Sequence, residues 1–427
     1  MLEALLSARR QLYISWTGRN IRDNSEQPPS VLVSQLRDYL AAVWGPACVE
    51  SRTTEHPLQP FSRRYFELQP DAAHPLLTYA AEWRDLHIED EITAGTYMAQ
   101  RPPLEAEQVT ALTLQRLASF YRNPARTFFK ERLGVSFVER DEEAADVEAF
   151  VVEGLDHHQL IAAQVRHWPR VADPGLLRQR IVRDIERLQR SGVLPMQGFG
   201  ELTRQTLQAT LAAMADAWQQ ACEEFPQAAP RLAVEFGHDG IALADWIDPL
   251  HANAEQTAWL QLSPAKLLDK KQQVRPDKLL DAWLRSLAAA AGQSDQAGQG
   301  RELHGLLVGP DATLRIAPID GESARQQLAQ LLLTWREGMA SPLPLPLKTA
   351  LALAGDGNAE EAYEGSSFRP EFAEVNEMCL ARCFPDFDAL ESVPTPSGES
   401  MLHELAAAVY GPMLDWIAEH VSVIPHP

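Results

Sequence analysis

The chain has 427 residues, about three times the usual domain length of ~150, and is 45% apolar and 23% charged, which excludes disorder throughout and implies two or three domains. Its 38 basic residues face 59 acidic ones, a net charge of −21, which excludes a free-standing nucleic-acid binder with a generally basic surface but leaves room for a local basic groove. Cys48, Cys222, Cys379 and Cys383 are too scattered for a disulfide framework or a metal site, and no apolar run reaches the ~18 residues of a membrane span, so we expect a cytoplasmic protein with core cysteines.

Gln11 to Trp16 alternates polar residues with Leu12, Ile14 and Trp16, the period of a half-buried strand. A strand so near the first residue, then a polar loop and a helix from about Ser30 to Val43, reads as the tail of a domain whose body lies upstream. Residues 45–110 carry His56-Pro57, Gln59-Pro60, Gln69-Pro70, His74-Pro75 and Pro102-Pro103, each biased to extended or turn backbone, and form a connector.

From Thr110 the period becomes helical. Leu114, Leu117 and Tyr121 share a face, Asn123-Pro124 ends that helix and caps the next, and Gly134 closes the second. Residues 141–149 form an acidic surface turn. Helices over 174–189 and 202–224 follow, the first burying Leu177, Ile181, Ile185 and Leu188. Strands at 231–236 and 241–247 flank Gly237-His238-Asp239-Gly240, a hairpin turn, and a third spans 257–262. Then come a helix over 279–291, a Gly/Gln/Ser linker over 292–300, a strand pair 304–308 and 313–316, an extended PLPLPL stretch, an acidic loop region over 355–392, and a final helix over 400–420. Trp246, Trp259, Trp283, Trp335 and Trp416 fall in strands or helices as core or interface anchors.

Arg180, Arg183, Arg187 and Arg190 step by 3, 4 and 3 along one face of their helix, in a stretch with a local excess of four positive charges. Arginine forks suit phosphate oxygens, and a second excess of the same size, including Arg122 and Arg126, spans 116–140. A solvated face paired to neighbouring acids is the plainer alternative. Residues 356–391 hold ten acids against Arg369 and Arg382 and read as hydrated loops or a dock for a basic partner.

No Walker cradle, nucleophile elbow, zincin or dinucleotide fingerprint occurs, so these residues are not a complete ATPase and lack the commonest hydrolase motifs. HPLQPFSRRYF (56–66), LASFYRNPARTFFKERLGV (117–135), LPMQGFGE (194–201), PLPLPLKTALA (342–352), AYEGSSF (362–368) and ARCFPDF (381–387) together resemble the carboxy-terminal part of the RecC family, the gamma subunits of exodeoxyribonuclease V, RecBCD. SARRQLYISWTGR (7–19) is similar to the last, degenerate motif of a superfamily 1 helicase-like domain.

The resemblance implies an α/β, helix-rich fold: residues 1–50 as a helicase-like remnant, 51–110 as a proline-rich connector, and 111–427 as a PD-(D/E)xK nuclease-like domain with a mixed sheet flanked by helices. It implies RecB and RecD as partners, duplex DNA ends and unwound single strands as ligands, no membrane, and no cofactor of its own, with ATP and Mg²⁺ held by the partner subunits. Active relatives of such a fold need two acids and a lysine around the metal. Asp245 and Asp248 stand near the first-acid position, but the next strand, AWLQLSPAKLL, offers Gln261 and Ser263 and no acid before Lys266. The implied role is therefore a non-catalytic DNA-handling scaffold that assists duplex separation and docks RecD, with Arg180, Arg183, Arg187, Arg190, Arg122 and Arg126 as phosphate contacts. The alternative is a metal-dependent nuclease using Asp245 or Asp248 with Asp269 and Lys271. His157 and His158 fall where active relatives carry a helix histidine, and read here as packing or capping groups, as does Asn123.

Overall fold

The computed structural model describes residues 2–20, 22, 25–66, 76, 78–80, 83, 111–137, 154–168, 174–195, 197–293, 302–355, 357–366 and 370–426. The acidic stretch 141–149, most of the 292–300 linker and Pro102-Pro103 lie outside them. The chain divides into two compact units, Met1–Tyr97 and Met98–Pro427.

The described residues of the first unit include the helices α1 (Leu2–Ser7), α2 (Val31–Trp44) and α3 (Pro46–Glu50), with irregular chain between and after them in which Arg19 pairs with Glu55 at 2.6 Å. The helix expected from about Ser30 is there. The strand expected over 11–16 is not, because alternation makes a strand only when a neighbour supplies hydrogen bonds, and among the described residues these have no such neighbour.

The second unit begins with α4 (Leu114–Arg122) and α5 (Pro124–Arg132). Asn123 joins them as the sequence predicts: its Oδ1 accepts from Arg126 N–H at 2.8 Å, and Pro124 takes the first helical position, where no N–H is needed. Gly134 follows at φ +66° and ends α5. After α6 (Gly154–Val165), α7 (Pro174–Arg190) and α8 (Gln197–Glu224) come the strands β1 (Gln227–Ala229), β2 (Leu232–His238), β3 (Ile241–Ile247), β4 (Leu250–Ala252) and β5 (Thr257–Leu262). Asp239 and Gly240 turn the β2–β3 hairpin with φ of +48° and +79°, the backbone that the Asp-Gly dipeptide favours.

Helix α9 (Leu280–Gln293), β6 (Leu303–Val308), β7 (Ala312–Ile316) and α10 (Gly321–Ala340) complete the central layer. Helix α11 (Leu347–Ala354) follows, and the region expected to be acidic loop, 355–392, instead contains α12 (Ala359–Glu364), α13 (Met378–Cys383) and α14 (Phe387–Glu391). Its acids hold these short helices: Glu377 caps α13, Asp386 caps α14, and the Glu374 carboxyl takes both the Lys348 and Thr349 N–H groups of α11. Burial pushes the Glu374 carboxyl above its ordinary range, with those hydrogen bonds opposing. The single closing helix expected over 400–420 is α15 (Met401–Leu405), a π-turn over Ala406–Tyr410 and α16 (Gly411–His420), followed by a last strand, β8 (Val421–Pro425).

Six strands form one mixed sheet in the order β1-β4-β5-β6-β7-β8, antiparallel except for the parallel pair β5–β6; β2–β3 is a separate ribbon. Alternating side chains feed two cores. Ala258, Leu260, Leu306 and Val308 pack with α6, α7 and α8, whereas Trp259, Leu307, Leu314 and Ile316 face α4, α9, α10 and α16. The domain is thus an α/β, helix-rich sandwich with a mixed sheet between helical layers. Tyr121 Oη donates to Leu331 O and Tyr410 Oη to Tyr121 O, each at 2.5 Å, so two buried hydroxyls tie α4, α10 and the π-turn together.

Candidate nuclease-like site and nucleic-acid interface

Leu112 bridges to β3, which sets the first turn of α4 against Asp245. One Asp245 oxygen accepts from Leu114 N–H at 2.8 Å and the other from Trp246 N–H at 2.7 Å, so this carboxylate is spent on a helix start. Asp245→Ala should therefore lower stability by about 1–2 kcal/mol, whereas exposed Asp248→Ala should change it by under about 0.5 kcal/mol; urea unfolding of the two variants compares them directly.

On β5, Gln261 Oε1 accepts from Arg285 Nη1 at 2.8 Å. The Arg285 guanidinium lies 4.7 Å from the Trp259 ring centroid, half-buried between α9 and the sheet. Burial pulls its pKa below the ordinary value while Asp281 and Asp245 act in the opposite direction. Ser263 Oγ closes on its own turn, donating to Ala265 O at 3.2 Å and accepting from Ala265 N–H at 3.3 Å. The chain beyond is pinned by Asp311, whose two oxygens accept from Leu267 N–H and Leu268 N–H at 2.9 and 3.0 Å.

Asp269 and Lys271 follow in a loop of their own. Asp269 is exposed, and its Oδ1 accepts from Lys271 N–H and Gln273 N–H, both at 2.8 Å, which makes it the organiser of a tight loop across the Leu268–Val274 bridge. His157 is half-buried on α6, and burial, with Lys266 and His158 nearby, holds its pKa below the usual histidine value. Among the described residues, no three His, Cys, Asp or Glu side chains converge at metal-binding distance.

The four α7 arginines divide into two kinds. Arg180 reaches Asp184 at 3.5 Å and Arg190 reaches Glu186 at 4.0 Å, both one helical turn away. The side chains of Arg183 and Arg187 are exposed and carry no ion pair or hydrogen bond among the described residues. Arg178, not singled out beforehand, clamps α7 to α8 through both oxygens of Asp216 at 2.6 and 2.7 Å. Arg122 is paired with Asp281, and Arg126 lies 3.8 Å from Glu377. Helix α7 packs on one face of the sheet while α4 belongs to the layer on the other, so the two basic stretches do not line one groove.

The sequence profile of the RecC C-terminal domain matches residues 109–358, more than half of the chain. The chain belongs to this family. It is 32% identical over 397 residues to the RecBCD enzyme subunit RecC of Escherichia coli K12, covering 88% of this chain and 32% of that protein. The RecC subunits of Haemophilus influenzae and Mycolicibacterium smegmatis are 27% and 25% identical, over 88% and 83% of this chain and 31% of each relative. The chain thus spans about a third of the length of the RecC subunits it matches. No helix among the described residues is long and apolar enough to cross a membrane.

Arg285 is the site residue that sequence reasoning missed. Its one available signal is a lone arginine inside the apolar run LLDAWLRSLAAAA, where a charge needs a partner.

Proposed function

We propose that this chain is a non-catalytic DNA-handling and docking module of a RecBCD (exodeoxyribonuclease V) assembly in double-strand-break repair and recombination. Residues 111–427 keep the architecture of a PD-(D/E)xK nuclease without its site, residues 1–50 are the end of a helicase-like domain, and 51–110 connect them. The observation that carries this reading is the Gln261–Arg285 hydrogen bond. Where an active relative would place a metal-binding acid and a lysine, this strand has a carboxamide held by a cation and a serine folded onto its own turn. A guanidinium at that position repels a divalent ion, and Asp245 has both oxygens committed to backbone donors, so the residues present do not fit Mg²⁺. ATP hydrolysis and strand cleavage then fall to RecB and RecD, and this module, in the cytoplasm, guides DNA by arginine–phosphate attraction and contacts RecD.

Arg183 and Arg187 are the favoured phosphate contacts, because their guanidinium groups are exposed and uncommitted. Arg180, Arg190, Arg122 and Arg126 must first loosen an existing carboxylate contact. Incubation of the purified chain with linear duplex and Mg²⁺ or Mn²⁺ tests the central claim. We expect no cleavage and no difference between the parent and Asp269→Ala; cleavage abolished by Asp269→Ala would establish the nuclease instead.

A further inference from the structure

The two edges of the β2–β3 ribbon differ. On the β3 side, Leu112 N–H donates to Ala242 O at 2.8 Å, Ala244 N–H donates to Leu112 O at 2.9 Å, and Asp245 takes the Trp246 N–H. Ala242 and Ala244 thus turn their backbone away from β2. Because the antiparallel register sets Ala242 opposite Gly237 and Ala244 opposite Glu235, this fixes the other edge as well. There Ala233, Glu235 and Gly237 point their N–H and C=O groups outward. All three residues are exposed, and these outward groups make no hydrogen bond among the described residues. The last turn of α9 comes near this edge at the Ala233 carbonyl, beside Gly292.

Natural sheets blunt such edges, and the outer strands of the six-stranded sheet do so. Strand β1 has three residues, and on β8 the Val421 N–H is taken by Ile417 O while Pro425 has no N–H to offer. Strand β2 has seven residues, no proline and an unbroken ladder to β3. It is also held firmly. Val234 is fully buried, α9 and α10 pack against the strand, and Arg336 of α10 pairs with Asp239 in the hairpin turn at 2.6 Å. On the inner face beside Val234, Leu232 and Phe236 are only half-buried, at the rim of the core.

We infer that β2 takes up an extended segment of a protein partner as an added strand, one whose side chains alternate between apolar and basic. The outward N–H and C=O groups supply the main-chain half of the recognition. In such a strand the residues opposite Leu232 and Phe236 point inward and complete the cover of those half-buried side chains, which selects apolar groups. The residue opposite Glu235 lies on the solvent face. Glu235 has no ion pair among the described residues, in a chain of net charge −21, which selects lysine or arginine there. Nucleic acid is disfavoured, because its phosphates would meet Glu235 and a set of backbone groups of which half are acceptors. The inference rests on the docking part of the proposed role and gives it a mechanism; its test uses neither DNA nor another subunit, so either reading can fail alone.

The probe is a short acetylated and amidated peptide of alternating valine and lysine, titrated into the whole chain while hydrogen exchange along β2 is followed by NMR. With the peptide at about ten times its Kd, exchange of the Glu235 and Gly237 N–H groups should slow about tenfold, whereas Val234 and Phe236, already bonded to β3, should not change. A copy methylated at alternate backbone nitrogens should not bind. A copy with glutamate for lysine should bind about two- to fivefold more weakly, a preference that Glu235→Lys should remove. Glu235→Pro deletes one outward N–H without touching the ladder to β3 and should weaken binding roughly five- to tenfold. The methylated peptide keeps the test decisive if a variant does not fold. No protection, or equal binding by the methylated or the glutamate peptide, would overturn the inference. Protection that rises with the chain's own concentration in the absence of peptide would overturn it in favour of a second copy.

Discussion

Gly305→Ala should cost the second unit about 3 kcal/mol and lower its Tm by roughly 6–12 °C. Gly305 on β6 lies in register with Trp259 on β5, and a Cβ built there would meet the indole at 2.2 Å. The ring has nowhere to go. Trp259 is 2% exposed, with the Arg285 guanidinium 4.7 Å from its centroid, so relief requires moving the arginine that holds Gln261. Trp259→Phe removes the clashing atoms, and in that background Gly305→Ala should cost under about 1 kcal/mol. Thermal and urea unfolding of the four-member cycle measures this; equal costs in both backgrounds would show that the close approach is not the cause.

Reversing two charges on α7 should have the largest effect on DNA. Arg183→Glu with Arg187→Glu is expected to weaken binding to a forked duplex by roughly 30- to 100-fold at 0.1 M salt and to lower the log–log salt slope by about 2. Both side chains are free of carboxylates among the described residues, so no internal pair compensates for their loss. Arg190→Ala should change affinity much less, because Glu186 already neutralises it through contacts one turn away. Fluorescence anisotropy across a salt series separates the outcomes. Unchanged affinity and slope in the double variant would remove α7 from the DNA path.

Much of the fold is legible where local chemistry decides it. The Gly237-His238-Asp239-Gly240 turn placed β2 and β3, although Gly237 and His238 belong to the strand and only Asp239-Gly240 turns; the Asn-Pro dipeptide placed the α4–α5 joint, and the apolar run ended by Pro264 gave the bounds of β5. What escaped depends on distant partners. Strands β1 and β4 have three residues each, too few for a period, and β8 reads as a tail until β7 is known to lie beside it. The alternation over 11–16 is a real pattern without a neighbouring strand. The acids of 355–392 read as charge, whereas Glu377 and Asp386 act as individual acceptors for an N–H three residues on at a helix start, a spacing already present in Glu377-x-x-Leu380 and Asp386-x-x-Ala389.

At the site, the loss of an acid before Lys266 was visible in the letters. The replacement arrangement was not, since Gln261 and Arg285 are 24 positions apart and meet only when α9 lies on the sheet. The arginine stripe on α7 was equally visible, but which two of its four members are uncommitted follows from side-chain reach to Asp184 and Glu186.

The pairing of β7 with β8 has a consequence for synthesis. Ser422 bonds back to Arg315 across 107 positions, so at ribosomal rates β7 emerges roughly 5–20 s before the strand that covers it. Throughout that interval the nascent sheet presents a naked row of amides and carbonyls, an invitation to aggregation that only the emergence of β8 withdraws.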